Sequence, residues 1–526
     1  MDENQAGLPI HPAGELPESD QALMAERPGT AVDTLGGKVF VRWDPDAAVT
    51  AFGPVAYFIE FLKTNELWQQ WVADCPLAYR SPNAPPKQDI LGTLLLSVLA
   101  GHKRYAHVTT IRSDSVTPGL LGMKRVRSED AVRRAFQQGA PEDYARWLTR
   151  HMSNTYEELL NEPWILDMDG TVKPLYGHQE QAVVGYNPTK CGRPSHVYQT
   201  YFIAAIRMVL DVEVQAGNQT ASQYAQPGLW AWLDKRPRER WPSLVRGDIA
   251  WGTERMMLEC EKRKLPYLFK LRQTTKVRSH IAQLFGRSDW TAAGQGWQAL
   301  SSELQLTGWS RARRVVILRR RVREALALAS AERDSMQPRL LATAELVQDG
   351  ALYEYAVLVT PLEDDLLAIA QLYRDRAEAE NVFDELKNQW GWTGFTTHDH
   401  QRCQIMARIT ALIYNWWSLF TRLAIPNRHT EATTSRPLLL HGIARQTRHG
   451  NQTTVTITSN HAKAPAVRLA LEAVSTLLQR LVQTAERLNL QQRWRQLLRF
   501  IFRDRLKTQA PEPFFLPLTM LPNCRI

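Results

Sequence analysis

Residues 164–172 read WILDMDGTV, and Lys173 and Pro174 follow. An apolar run leads into two aspartates, Asp167 and Asp169, and then into Gly-Thr. Residues two apart on a strand share a face, so the two carboxylates leave it on the same side. Working outward, VYQTYFIAAI (197–206) and RMVLDVEVQAG (207–217) read as a pair of strands, and SLVRGDIAW (243–251) as another that ends at Gly247-Asp248. GTERMMLECEKRK (252–264) predicts a helix and PYLFKLR (266–272) the strand after it. A strand-rich run followed by a strand–helix–strand unit predicts an α/β fold, a mixed sheet covered by helices.

On either side the texture changes. Residues 273–361 are β-rich but irregular, with WQALSSELQL (297–306), RRVVILRRRV (313–322) and YEYAVLVTPL (353–362). After Leu366 the pattern is helical to about 424, with YNWWSLF (414–420) as a buried aromatic stretch. A short strand, TTVTITS (453–459), precedes helices over 466–507. Before the sheet, apolar residues at three and four spacing predict helices over 49–72 and 88–108. SEDAVRRAFQQ (128–138) predicts a short one that opens on Ser128, a good N-cap. Residues 1–38, rich in Pro, Gly, Glu and Asp and without period, predict a mobile tail.

The bulk numbers narrow the function class. At 526 residues the chain is too long for one core. Its net charge of +10 and pI of 9.3 are compatible with a polyanionic partner, most often nucleic acid. KRVR (124–127) leads into the short helix that carries Arg133 and Arg134, so Lys124, Arg125, Arg127, Arg133 and Arg134 are the DNA-binding candidates. Five scattered cysteines without a C-x-x-C pair point away from a disulfide framework or a cysteine zinc site, and toward a reducing cytoplasm. The N-terminus lacks the basic-apolar pattern of a secretory signal. No apolar run reaches the ~18 residues of a membrane span, and the longest, ILGTLLLSVLAG (90–101), is shorter.

A second stretch, YRDRAEAENVFDELK (373–387), places Tyr373, Arg376, Glu380 and Lys387 at offsets 0, 3, 7 and 14. At about 100° per residue they fall within roughly 60° of one helix face. A phenol, a guanidinium, a carboxylate and an ammonium in one stripe suit a site where the carboxylate holds a metal and the others hold phosphates. An exposed helix with ion pairs gives the same pattern.

The spacing Y-x2-R-x3-E-x6-K resembles the helix signature of bacterial insertion-sequence transposases of the DDE type, whose catalytic domain is ribonuclease-H-like. Asp169-Gly170-Thr171 resembles that family's first catalytic aspartate in a D-x-T context, and Arg246-Gly247-Asp248 its second in R-G-D. Glu380 matches the glutamate that follows an inserted β region, with 131 residues between it and Asp248. GYNPTKCGRPSH (185–196) and QAGNQTAS (215–222) resemble the segments between the two aspartates, and the likeness covers about 90–460. WILDMDGTV also resembles the D-x-D-G-T motif of haloacid-dehalogenase-type phosphatases. That motif normally opens its domain near a chain start, however, and leaves the Tyr-Arg-Glu-Lys stretch unexplained.

The transposase resemblance implies catalytic and metal-ligating roles for Asp169, Asp248 and Glu380, with Asp167 either a further ligand or a support for one. It implies two Mg2+ ions (Mn2+ as substitute) and DNA phosphate contacts from Tyr373, Arg376 and Lys387. Trp290, Trp297 and Trp309 become candidates for stacking on a flipped base. His398-Asp399-His400 reads as a solvated loop rather than a metal site. The implied partners are double-stranded DNA, terminal inverted repeats and target DNA, bound by a homodimer on the nucleoid of a bacterial cytoplasm, with no membrane. The implied reaction is cut-and-paste transposition. A nuclease without strand transfer and a catalytically inactive DNA-binding relative are the rivals. The implied organisation is a tail (1–38), a helical DNA-binding region (39–150), a core in two parts (151–272 and 362–425), a β-rich insertion (273–361) and a C-terminal helical region (426–526).

Overall fold

The computed structural model describes residues 29–79, 81, 83–187, 190–321, 346–348, 351–392, 394–426, 428–458, 461–483 and 488–502. The chain divides into two units, Met1–Ala48 and Val49–Ile526. In the first, Thr30–Thr34 pairs antiparallel with Gly37–Val41. The hairpin over 30–41 therefore takes in the last part of the expected tail (1–38) and runs into the expected helical region, while residues 1–28 lie outside the described residues. TAVDT and KVFV alternate around Gly36-Gly37, and Gly37 takes the positive φ, 106°, that a tight turn asks for.

The second unit is built on an eleven-stranded mixed sheet among the described residues. Its main strands are β1 (Ile165–Pro174), β2 (Pro194–Ile203), β3 (Met208–Ala216), β4 (Leu244–Gly247), β5 (Tyr267–Lys270), β6 (Trp297–Leu304), β7 (Arg313–Arg321) and β8 (Ala351–Val359). Their order is β3-β2-β1-β4-β5-β8-β7-β6. The β1–β2 and β2–β3 pairs are antiparallel; β1–β4 and β4–β5 are parallel. The expected insertion is thus hydrogen-bonded into the same sheet: β8 pairs antiparallel with β5 at Val359↔Phe269, and β7 and β6 extend it. Strand β5 would otherwise present an unpaired edge. This region also holds a helix unforeseen from its pattern, Thr275–Leu284, capped by the Thr274 hydroxyl.

Five helices matter for the site: α1 (Glu129–Arg134), α2 (Glu254–Lys262), α3 (Leu366–Arg374), α4 (Ala377–Gln389) and α5 (His400–Ala424). Ser128 caps α1 as expected, accepting from the Ala131 N–H. The helix stops four residues short of the expected end, and Phe136 beyond it takes a positive φ of 64°. Helix α5 runs 25 residues and is buried along most of its length. Trp416 and Trp417 are buried with their indole N–H groups donating to Thr155 and Ser435. The apolar run 90–101 forms most of the helix Lys87–Leu99 and is buried on all sides. Among the described residues no helix is long and apolar enough to cross a membrane.

The outer edge of β3 is closed by side chains of α5. Asn415 accepts from the Val209 N–H (3.0 Å) and donates to the Val209 carbonyl (2.7 Å). Gln404 does the same for Val214 N–H (2.6 Å) and the Val212 carbonyl (2.7 Å). Arg408 forks onto Asp211 at 2.8 and 2.9 Å. Two amides act here as a substitute neighbouring strand, satisfying groups that burial would otherwise leave unpaired. Asn415→Leu should cost on the order of 2 kcal/mol, since it strands a buried donor and acceptor. A denaturation midpoint within error of the parent would refute this role.

Candidate active site

Strands β1 and β4 run parallel, with Asp167 opposite Arg246 and Met168 opposite Gly247. That register carries Asp169 and Asp248 to neighbouring positions. Asp169 Oδ1 accepts from the Gly170 N–H (2.8 Å), and Asp248 Oδ1 from the Ala250 N–H (2.9 Å). Arg376 Nη2 donates to Asp169 Oδ2 at 2.6 Å, and both side chains are largely buried. Burial, and then the charge of Asp169, push the Asp248 carboxyl up to about 6; Arg376 and Lys270 oppose the shift. A like charge nearby raises a carboxyl's pKa in a poorly solvated place, and the guanidinium supplies a positive charge beside Asp169.

The Tyr373-to-Lys387 stretch is not one straight helix. It breaks at Asp375-Arg376, between α3 and α4. Tyr373 is the second-last residue of α3 and Arg376 occupies the N-cap of α4. Burial drives the Tyr373 phenol up to about 12, Arg376 opposes this, and Asp248, Glu380 and Asp169 add to it. The phenol therefore feels the charge of all three acids. Glu380 is exposed on α4. Among the described residues no three His, Cys, Asp or Glu side chains stand close enough to hold a metal. Asp169 and Asp248 stand together with Arg376 paired to Asp169, and Glu380 is exposed on α4. A third anion gains nothing by approaching two others without a further cation. Lys387 is half-buried, seven residues beyond Glu380, about 10 Å along the helix. Helix α4 is anchored through Glu385, roughly 140° round the helix from Glu380. Its buried carboxylate lies 2.6 Å from His429 Nε2 and accepts from the Ala432 N–H.

Asp167 is fully buried, and both its oxygens accept from Arg246, at 2.8 Å each. Burial pushes its carboxyl up, while Arg246 and then Arg376 hold it down. Arg246 Nη1 also donates to the Leu372 carbonyl. With both oxygens engaged, Asp167 fits the support reading rather than the ligand reading. The Asp167–Arg246 fork ties β1 and β4 to the end of α3, one residue before Tyr373. Pattern reasoning read Arg246 only as part of R-G-D and missed this tie. The available signal was the parallel register that sets an arginine opposite an aspartate.

The other expected residues are engaged in various ways. Arg127 pairs with the buried Asp89. Arg133 pairs with Asp130 on the surface, while Lys124, Arg125 and Arg134 are exposed. Trp290, Trp297 and Trp309 each lie under a guanidinium of β7: Arg319 at 3.9 Å, Arg320 at 4.8 Å and Arg313 at 5.3 Å. One face of each indole is therefore covered by an arginine. Arg313 also pairs with Glu254 and Glu261 on α2. Asp399 caps α5 by accepting from the Arg402 N–H, and Glu180 Oε2 accepts from the His400 N–H. The His398–His400 cluster thus serves a helix start.

Against this geometry, residues 78–479 match the family model described as transposase DDE domain group 1. The chain belongs to the DDE transposase domain family. The match takes in β1, β4 and α4, and so Asp169, Asp248 and Glu380 together. Among solved structures, the cryo-EM piggyBac transposase synaptic complex with hairpin DNA is similar over 88% of this chain and 87% of that one, at 10% identity and a TM-score of 0.40. No curated protein matches the chain. In this DDE-family chain, the tie through Arg246 and the ion pair through Arg376 are what hold the two aspartates and the α3–α4 junction together.

Proposed function

We propose that the chain is a DNA transposase of a bacterial insertion sequence, with Asp169, Asp248 and Glu380 as its catalytic acids. The observation that carries the reading is the pair Asp169 and Asp248 on neighbouring parallel strands, with a buried guanidinium as their counter-ion. A site that already recruits a positive charge between two carboxylates suits divalent cations. Mg2+, with Mn2+ as substitute and two ions per site, fits an oxygen-donor set of this kind. Such ions, when bound, activate the attacking water or 3′-OH and stabilise the leaving oxygen. The strand order β3-β2-β1-β4-β5, three antiparallel and then two parallel, supports a ribonuclease-H-like core. Terminal inverted repeats and target DNA are the substrates, with a homodimer on DNA and a cut-and-paste route.

The chain's own residues then divide the work. Asp169 and Asp248 present oxygen ligands, and the Asp167–Arg246 fork holds together the parts of β1 and β4 that carry them. Tyr373 and Lys387 flank the acids and hold backbone phosphates, which position rather than specify. Arg376 neutralises Asp169, and with a cation held by the acids its guanidinium would be free for a DNA phosphate.

Incubation with the DNA flanking its own gene and Mg2+, with products mapped at nucleotide resolution, tests the reading. Cut ends joined to target DNA support it; cut ends that never join make the protein a nuclease; binding without cutting makes it an inactive relative. Arg376→Ala should flatten the log-log salt dependence of DNA affinity by about one unit. It should slow cleavage on the order of a hundredfold, the cost of an ~1 Å misplacement. It should also strengthen Mn2+ binding to the DNA-free protein, read by titration, because Asp169 loses its competitor. Unchanged Mn2+ affinity would contradict the shared role of Arg376.

A further inference from the structure

A cleft of about 410 Å3 opens where α1, the loop after β1 and the loop before α5 meet. Arg133, Arg134 and Arg402 line it with His178 and His398, and the rest of its wall is Gln and Thr. Among the described residues no carboxylate lines it, though Glu180 Oε1 lies 3.7 Å from His398 Nδ1 beside it. Three guanidiniums, two imidazoles and several neutral donors suit a phosphate oxygen, which arginine forks recognise well. The wall is built rather than incidental. Arg402 Nη1 donates to the Arg133 carbonyl (2.7 Å) and Nε to Asp399 (3.1 Å), so it pins the end of α1 to the start of α5. Arg133 is held only by an exposed pair with Asp130, a link worth little in water. Arg134 is exposed and has no partner among the described contacts.

We propose that this cleft binds a backbone phosphate of duplex DNA, apart from the bond that is cut. The proposal rests on the DNA-transposase reading and adds a second contact to it. Strand β1 links the two places: Asp169 lies five residues before Pro174, and the loop that follows carries His178. At about 3.3 Å per residue that is roughly 17 Å. Along a duplex laid beside β1, at about 3.4 Å per base pair, it corresponds to roughly five base pairs. The cleft would therefore fix the duplex beyond the reacting end and set its angle to the acids.

The test uses the full chain and a duplex carrying the element's end, with Arg134→Ala and Arg134→Glu as variants. Because Arg134 is exposed and unpaired, neither change should disturb folding. Arg134→Ala should lower the log-log salt slope of binding by about one unit, and Arg134→Glu should weaken binding further. Interference by ethylated phosphates should show a site on the order of five base pairs from the cleaved bond, and Arg134→Ala should erase it. Parent-like salt slope and interference pattern in both variants would overturn the cleft while leaving the transposase reading intact. A parent chain that binds no duplex would overturn both.

Discussion

Asp248→Asn should reduce DNA cleavage by on the order of a thousandfold or more, while binding of the element's end stays within a few-fold. A metal ion contributes several kcal/mol of transition-state stabilisation, and each 1.36 kcal/mol is tenfold in rate. The ligand serves chemistry more than affinity, so the two readouts separate. The same change should make the DNA-free protein more stable. The folded Asp248 carboxyl titrates at about 6 against a usual value of 3.8, chiefly through burial and then the charge of Asp169. A folded state that holds its proton more tightly than the unfolded state loses stability as pH rises from about 4 to 6. Asparagine carries no such charge. The gain from Asp248→Asn is therefore absent below about pH 4, grows through that window, and is complete above it, on the order of 2 kcal/mol. Thermal melts at pH 4 and pH 7.5 would check it. Parent-like cleavage would remove Asp248 from the site, and an equal change in Tm at both pH values would refute its strained ionisation. Sites that bind cations commonly cost stability when empty.

Arg246→Ala should destabilise the fold by about 3–5 kcal/mol, because it leaves the fully buried Asp167 without its partner. Cleavage should fall with it, but a loss of folding alone would produce that too. The double change Asp167→Leu with Arg246→Met separates the two. A well-packed apolar pair can replace a buried ion pair at little cost, so the melting temperature should recover. Cleavage should not, since the contact from Arg246 to the Leu372 carbonyl that seats the α3–α4 junction is gone. If the double variant cuts DNA at the parent rate, the fork is core filling and does not position the site.

The features legible in the sequence were those with a local cause. WILDMDGTV forms a strand on its apolar run after Pro163, and it lies where expected, within β1. SLVRGDIAW and PYLFKLR became β4 and β5, with α2 between them. Ser128 caps its helix because a hydroxyl at that position can reach a free backbone N–H. YNWWSLF is buried because no other placement hides so much aromatic surface.

Partner choice was not legible. Nothing in RRVVILRRRV says that Arg319, Arg320 and Arg313 would cover Trp290, Trp297 and Trp309, or that β7 would join the core sheet by way of β8. A periodic stripe placed Arg376 beside Glu380, yet its contact is with Asp169, 207 residues away in the chain. The i and i+2 aspartates share a strand face, and in the sequence only the D-x-T resemblance favoured Asp169 over Asp167. The parallel register of β1 with β4 sets Asp167 against Arg246 in the core and Asp169, midway along β1, by Asp248 just past the end of β4. Sequence alone determined which residues form strands and helices and which chemical groups they carry, because hydrophobic period and capping act within a few residues. The tertiary structure decided which charges meet, because register and helix placement bring together groups far apart in the chain, and a buried charge takes whatever counter-charge that packing delivers.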